Sequence, residues 1–143
     1  MDVAARIRAS FAKQGLMRTL GAELGAISPG AVEIILLPDP AITQQHGFVH
    51  GGAVSAIADT AAGYAALSLM PVGTGVLTTE FKINLVAPAA GKRIIARGRV
   101  VKPGRTLTLT QADVFAEDDG QEKLIALLTA TIMSIRGRED VED

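Results

Sequence analysis

The stretch that decides the fold of this chain is HGFVHGGAVSAIADTAAGYAA, residues 46–66. It contains both histidines of the chain, a glycine pair and one aspartate, Asp59, which stands in a run of small apolar residues. Between Pro40 and Thr79, Asp59 is the only Asp, Glu, Lys or Arg. Burying an ionised carboxylate among apolar side chains costs several kcal/mol unless it has partners. The protein must therefore stabilise this carboxylate, use it chemically, or do both.

Residues 51–70 are predicted to form one long helix that is apolar on all sides and ends before Pro71. They are the only stretch long enough to consider as a membrane span, but they are rich in alanine and glycine and carry Asp59 near the middle. A helix without a polar face is explained more simply if the rest of one soluble domain surrounds it.

Strand-like segments lie on both sides of this helix in the sequence. Residues 20–38 predict two strands joined at a Ser-Pro-Gly turn, and four more strands are predicted after the helix, at residues 76–88, 92–101, 105–117 and 123–135. Residues 1–15 are predicted to form an amphipathic helix and residues 136–143 a flexible polar tail. Because tight turns join most strands, we predict a single α+β domain over residues 1–143, in which an antiparallel sheet of about six strands wraps around one long central helix.

Composition narrows the possible partners. The chain has 143 residues, no cysteine, one tyrosine, four phenylalanines and no tryptophan, and its formal net charge is −1. The absence of cysteine excludes disulfides, thiolate nucleophiles and cysteine metal sites, and it fits a cytoplasmic protein. Without a basic field or aromatic stacking surfaces, nucleic acid is not the expected partner. We expect a small molecule as the partner instead, and we expect no association with a membrane.

Gly51 and Gly52 open the predicted helix. The backbone N–H groups at a helix start have no partners within the helix, and glycine lets a ligand oxygen approach them closely. Together with the helix dipole, they could polarise a carbonyl group and stabilise the negative charge that develops on it, as an oxyanion hole does. The alternative is that the two glycines only permit a tight turn into the helix.

Asp59 is the candidate general base or nucleophile. Desolvation in a half-apolar setting makes a carboxylate a better base than a solvated aspartate. Gly63 follows one helical turn later on the same face and leaves space beside the carboxylate. The competing interpretation is a structural aspartate, bonded to a backbone group or to a threonine such as Thr78 or Thr79.

Asp59 lies eight residues beyond Gly51, which is about 12 Å along the helix axis, so one helix cannot bring both residues to a single reacting atom. Two copies of the helix packed antiparallel across a two-fold axis would place Gly51 of one chain near Asp59 of the other. If the two residues cooperate, the protein is therefore at least a homodimer with two shared sites.

His46 and His50 could be drawn together with Asp59 as a metal site. Gly47 interrupts the helix that such a histidine pair requires, and no glutamate stands beside either histidine, so no metal is predicted. His50 is expected instead to hold the loop before the helix.

Six of the fourteen residues from 92 to 105 are basic: Lys92, Arg93, Arg97, Arg99, Lys102 and Arg105. Such a run is either the solvated face of a strand or a site for the phosphates of a ligand with a nucleotide tail.

These features together resemble a known family. The motif HGG, with an acid nine residues after its histidine on the central helix of a β-β-α-β-β-β-β chain, resembles the hotdog-fold thioesterases, and more specifically the phenylacetic acid degradation-type (PaaI-like) acyl-CoA thioesterases. The likeness covers roughly residues 15–135 and includes TTEFKINLVAPA and VVKPGRTLTLT. It implies hydrolysis of a coenzyme A thioester by a homodimer at least, or by a homotetramer built as a dimer of dimers. No cofactor is implied, because coenzyme A is part of the substrate.

The resemblance also implies roles for individual residues. The amide of Gly51 would polarise the thioester carbonyl, and Asp59 of the neighbouring subunit would be the base or nucleophile. His50 would steady the helix start, Thr78 would orient the water or the acid, and Gln44, where the family commonly has asparagine, would help to seat the thioester or the water. Coenzyme A is expected along Val86, Ala87, Pro88 and Ala89 and along Lys102, Gly104, Arg105 and Thr106, and the substrate pocket is expected to include Gly52, Gly63 and Thr79.

Two other classes of function fit the same fold. A non-hydrolytic acyl-CoA or lipid binding module would keep the glycines and use Asp59 structurally. A hotdog dehydratase or hydratase would pair a catalytic histidine with an acid across the site, whereas His50 stands beside the glycine donors. Release of free thiol from an acyl-CoA separates a thioesterase from both.

Overall fold

The long apolar helix that the sequence predicts is present and packs against one antiparallel sheet. The computed structural model describes residues 2–143. Its helices are α1 (Val3–Phe11), α2 (Gly15–Leu20) and α3 (Gly51–Leu67). Its strands are β1 (Glu23–Ser28), β2 (Ala31–Leu36), β3 (Thr74–Leu85), β4 (Arg93–Lys102), β5 (Leu107–Asp118) and β6 (Gln121–Arg136).

The six strands form a single sheet in the order β1-β2-β4-β5-β6-β3, with every neighbouring pair antiparallel. Helix α3 packs against β2, β3, β4, β5 and β6. Most of the second half of α3 is fully buried, because alanine at so many positions lets the strands approach its backbone. The α+β fold predicted from the sequence, a six-stranded antiparallel sheet around one helix, is confirmed.

Helix α3 ends at Leu67, three residues earlier than the predicted end at residue 70. The side-chain hydroxyl of Ser68 donates to the carbonyl oxygen of Ala65 and accepts a hydrogen bond from the backbone N–H of Gly30. Ser68 therefore ends the helix by bonding it to the β1–β2 turn, so the chain leaves the helix before it reaches Pro71.

The prediction of one helix over residues 1–15 and of a strand from residue 20 is wrong in detail. Two short helices occupy the N-terminal region, and strand β1 begins only at Glu23. Gly21 adopts the left-handed conformation, with φ of 71°, and ends α2. Glycine adopts this conformation at little cost, and it redirects the chain before the first strand. Met1 lies outside the described residues.

Residues 136–143, predicted as a flexible polar tail, lie against the domain. After β6, residues Glu139–Val141 form a 3-10 turn. A Cβ atom added to Gly75 at the start of β3 would overlap the backbone carbonyl of Val141. The hydroxyl of Ser10 donates to the carboxylate of Asp143 at 2.6 Å. The tail is therefore in contact with both β3 and α1.

Candidate active site

Asp59 lies in the middle of α3 and is bonded to β3. The hydroxyl of Thr78 donates to Asp59 Oδ1 at 2.7 Å. Burial raises the pKa of Asp59, and the Thr78 hydrogen bond opposes this by lowering it. Asp59 therefore does have the threonine partner that a structural role would require. That hydrogen bond involves only one of the two carboxylate oxygens, Oδ1.

A cavity of about 180 Å³ opens beside the Asp59 carboxylate. Its walls include Gly63, where a Cβ atom would meet no other atom of residues 2–143 within 4 Å. Gly63 therefore leaves the space open, and Asp59 combines desolvation with access for a small molecule. The remaining residues of the wall are Gln14, Thr60, Tyr64, Val76 and Thr78.

Gly51 is the first residue of α3, and its backbone N–H has no hydrogen-bond acceptor within residues 2–143. Its φ angle is not positive, so the turn into the helix does not itself require glycine. A Cβ atom on Gly51 would instead lie 2.8 Å from Cδ1 of Leu85. This atom is the movable end of a side chain, so the contact does not by itself require glycine, and the free N–H group of Gly51 remains available to a ligand.

His50 caps the helix start. Its Nδ1 atom accepts a hydrogen bond from the backbone N–H of Gly52 at 2.7 Å, so the proton of a neutral His50 is on Nε2. Gly52 leaves room for this ring, because a Cβ atom there would lie 3.0 Å from Nδ1. Gln44 stabilises the preceding loop, where its side-chain oxygen accepts from the backbone N–H groups of His46 and Phe48.

The structure separates the two halves of the predicted site within one chain. Gly51 lies in a second cavity, of about 470 Å³, together with Gln44 and residues 85–89. Asp59, Gly63 and Thr78 line the first cavity, and Gly51 does not. The α3 helix is continuous between Gly51 and Asp59, which keeps them about 12 Å apart along its axis. The cavity that contains Gly51, and not the one beside Asp59, is lined by Val86, Ala87, Pro88 and Ala89.

Two predicted pocket residues lie elsewhere. The hydroxyl of Thr79 donates to the carbonyl oxygen of Thr131, and Thr79 does not line the cavity beside Asp59. Neighbouring residues of a strand face opposite sides of the sheet, and Thr79 also stands at an irregularity in the pairing of β3 with β6, between Thr78 and Glu80. Gly52 lies in a third cavity, next to His50 and α2.

Most of the predicted basic strip is paired with carboxylates. Ion pairs join Lys92 to Asp119, Arg93 to Glu117, Arg97 to Glu33 and Glu122, and Arg99 to Asp113. Within residues 2–143, Lys102 and Arg105 form no ion pair. They flank Gly104, where a Cβ atom would overlap the carbonyl oxygen of Leu107, and Thr106 follows in the same exposed loop. The phosphate-binding hypothesis is therefore restricted to this loop.

Sequence reasoning missed Gln14 and Tyr64, which line the cavity beside Asp59. Gln14 precedes α2, 45 residues before Asp59, and no motif connects the two.

No helix of residues 2–143 is both long and apolar enough to span a membrane. The same residues bring together no group of three or more His, Cys, Asp or Glu side chains that could hold a metal ion.

Comparisons with known proteins agree with this fold. A family model described as "Thioesterase superfamily" matches residues 46–123. A protein of Halobacterium salinarum that carries a provisional esterase name is 30% identical over 123 residues, which cover 82% of this chain and 81% of that protein.

Solved structures are similar over nearly the whole chain. A thioesterase family protein from Silicibacter pomeroyi shares 51% identity and superposes with a TM-score of 0.92, covering 94% of this chain and 99% of that one. The PaaI protein of the E. coli phenylacetic acid degradation operon shares 21% identity, with a TM-score of 0.85 and 94% of each chain covered. At that level of identity, the second likeness shows the fold alone.

Proposed function

The chain belongs to the thioesterase superfamily, and on that premise we propose that it is an acyl-CoA thioesterase that hydrolyses a coenzyme A thioester to a free acid and coenzyme A. The observation that carries this proposal is the Asp59 carboxylate, held by Thr78 beside an open cavity and raised in pKa by burial. A carboxylate in this setting is suited to accept a proton or to attack a carbonyl carbon.

The chemistry needs only this carboxylate, water and one hydrogen-bond donor. As a general base, Asp59 takes a proton from water while the water oxygen attacks the thioester carbon. The C–S bond then breaks, and the leaving thiolate takes this proton from Asp59 to give the free thiol. As a nucleophile, Asp59 forms an acyl anhydride with loss of the thiol, and water hydrolyses the anhydride. In both routes the free N–H of Gly51 stabilises the oxyanion, an effect worth roughly 3 kcal/mol per donor.

The donor and the carboxylate must come from two subunits. They lie in separate cavities of one chain, so we propose a homodimer in which Gly51 of one subunit faces Asp59 of the other. Strand β3 is an edge of the sheet and exposes Leu77, Phe81 and Leu85, a surface that is protected when a partner covers it. A homotetramer formed as a dimer of dimers extends the same arrangement.

Other residues hold the substrate. We assign coenzyme A to the segment Val86–Ala89, which lies beside Gly51, and its phosphates to Lys102 and Arg105 with Gly104 and Thr106. His50 keeps the first turn of α3 in place, and Gln44 shapes the loop that borders Gly51. Gly63 provides space for the acyl group. A cytoplasmic location fits a chain without cysteine.

Thiol release from a panel of acyl-CoA esters tests the proposal, with Asp59→Asn as the key variant. Asparagine has nearly the same shape and can still accept the Thr78 hydrogen bond, but it cannot take a proton from water. We expect a loss of at least about 100-fold in kcat with the fold retained. Asp113→Asn is the matched control, since Asp113 is a half-buried carboxylate that does not line the cavity.

Activity of Asp59→Asn within threefold of wild type would contradict the catalytic assignment. Binding of acyl-CoA without thiol release would identify a non-hydrolytic binding module. Formation or hydration of a double bond would identify a dehydratase or hydratase.

A further inference from the structure

Two side chains of the cavity wall beside Asp59, Gln14 and Tyr64, belong to a chain of hydrogen bonds that the proposed hydrolysis does not use. Gln14 Nε2 donates to the Tyr64 hydroxyl at 2.9 Å. The Tyr64 hydroxyl lies 3.0 Å from the hydroxyl of Ser10, which in turn donates to Asp143 Oδ1 at 2.6 Å. Tyr64 and Ser10 are 4% and 5% exposed, so water does not replace these bonds.

The direction of each bond in this chain follows from its carboxylate end. An ionised carboxylate only accepts hydrogen bonds, so Ser10 gives its single proton to Asp143. Ser10 can then only accept from Tyr64, and Tyr64 gives its single proton to Ser10. Tyr64 is left with lone pairs for Gln14, which must turn its NH₂ group toward Tyr64. The side-chain oxygen of Gln14 therefore points away from Tyr64.

That oxygen has no hydrogen-bond donor within residues 2–143, although Gln14 is part of the cavity wall. Asp59 lines the same cavity and precedes Tyr64 by five residues, or about 7.5 Å of helix rise. The wall of one cavity thus includes the Asp59 carboxylate and, about 7.5 Å further along α3, the Gln14–Tyr64 pair.

We propose that Gln14 determines acyl specificity, and that its side-chain oxygen accepts a hydrogen bond from a hydroxyl group at the end of the acyl chain remote from the thioester. This inference rests on the proposed thioesterase function. An apolar chain end would cover the Gln14 oxygen without pairing it, which is unfavourable, whereas a hydroxyl group pairs it. A keto group, which only accepts hydrogen bonds, gains nothing from the same oxygen.

The test compares kcat/KM for three versions of each acyl group, using butanoyl-, hexanoyl- and octanoyl-CoA. One version is unsubstituted, one carries a terminal hydroxyl group, and one carries a keto group at the next-to-last carbon. At the chain length that reaches Gln14, we expect wild type to prefer the hydroxylated ester by roughly three- to tenfold and to show no preference for the keto ester.

The variant Gln14→Leu removes the acceptor and keeps an apolar side chain of similar length. We expect it to lose the preference, so that the ratio of kcat/KM for the hydroxylated ester to kcat/KM for the unsubstituted ester falls to about one. The control Gln121→Leu makes the same change at an exposed position at the start of β6 and should keep the wild-type ratios.

Two outcomes would overturn the inference: equal rates on hydroxylated and unsubstituted esters at every chain length, or an equal gain from the keto group. Both are read on the wild-type protein, so they do not depend on whether a variant folds. If no ester releases thiol, the proposed function fails instead. The affinities of the same uncleaved esters for wild type, measured by calorimetry, then decide whether Gln14 selects the hydroxyl group.

Discussion

At the scale of single residues, the central feature is the Asp59 carboxylate with its Thr78 partner. Burial disfavours the charged form and raises the pKa, while the hydrogen bond from Thr78 favours the charged form and lowers it. In the proposed mechanism Asp59 must be deprotonated to act, so we expect activity to be lost as the pH falls through the pKa of Asp59. By lowering that pKa, Thr78 should keep the enzyme active at a lower pH than burial alone would allow.

Replacing Thr78 by valine removes the influence that lowers the pKa and leaves the desolvation. We expect the acidic limb of the pH profile of kcat/KM to move to higher pH, with the largest loss of activity on the acidic side. The measurement is kcat/KM for one acyl-CoA from acidic to alkaline pH. Thr79→Val is the matched control, because the Thr79 hydroxyl binds the carbonyl oxygen of Thr131. An unshifted acidic limb in Thr78→Val would contradict this role of Thr78.

At the scale of elements, small residues set the distance between α3 and the sheet. A Cβ atom added to Gly98 in β4 would overlap the backbone carbonyl of Ala61 and lie 2.7 Å from the backbone nitrogen of Ala62. Backbone atoms in the middle of a buried helix cannot move aside as the end of a side chain can. By contrast, a Cβ atom at Gly63 of the same helix meets nothing within 4 Å among the described residues.

These two glycines should respond in opposite ways to alanine. Gly98→Ala forces α3 away from β4 and should lower the free energy of unfolding by about 3 kcal/mol. Gly63→Ala increases helix propensity without a clash and should raise the free energy of unfolding by up to about 1 kcal/mol. Urea denaturation of both variants beside wild type measures the difference. Equal effects at the two positions would show that the spacing of α3 and β4 does not depend on Gly98.

At the scale of the whole molecule, one chain presents the candidate site residues in two separate cavities. Asp59 and Thr78 border one cavity, and Gly51 with residues 85–89 borders another. The continuous α3 helix keeps Gly51 and Asp59 apart within one chain, so in the proposed mechanism a second copy of the chain brings them together.

Two inactive variants should therefore restore activity when they are mixed. Gly51→Pro removes the N–H donor at the first helical position, where proline is tolerated, and the side-chain end of Leu85 can turn aside. Co-refolded with Asp59→Asn chains, it should give about a quarter of wild-type activity, because half of the randomly formed dimers are mixed and each has one intact site. Thiol release is measured before and after mixing. No gain over the separate variants would show that the two halves belong to different functions.

Where the sequence failed, the missing information was a contact between distant segments. Four of the six basic residues in the strip are paired with acids, and the partners of Arg97 come from β2 and β6. Gln14 reaches the cavity because α1 is anchored, with the Arg6 guanidinium donating to the carbonyl oxygens of Met70, Pro71 and Thr74. These contacts depend on the order of the strands and on how the helices dock, and neither produces a recognisable pattern in the local amino-acid sequence.

The sequence by itself determined the central helix, the six strands, the antiparallel fold and the isolation of Asp59. Each of these follows from short-range properties: apolar runs, turn residues and the spacing of charges along the chain. Only the tertiary structure decided that Thr78 rather than Thr79 holds Asp59, because the register of β3 against β6 and the docking of α3 determine which of the two threonines meets Asp59. The tertiary structure also decided which basic side chains form ion pairs and that Gln14 lines the cavity beside Asp59. Burial and ion pairing depend on residues that meet only in the folded chain.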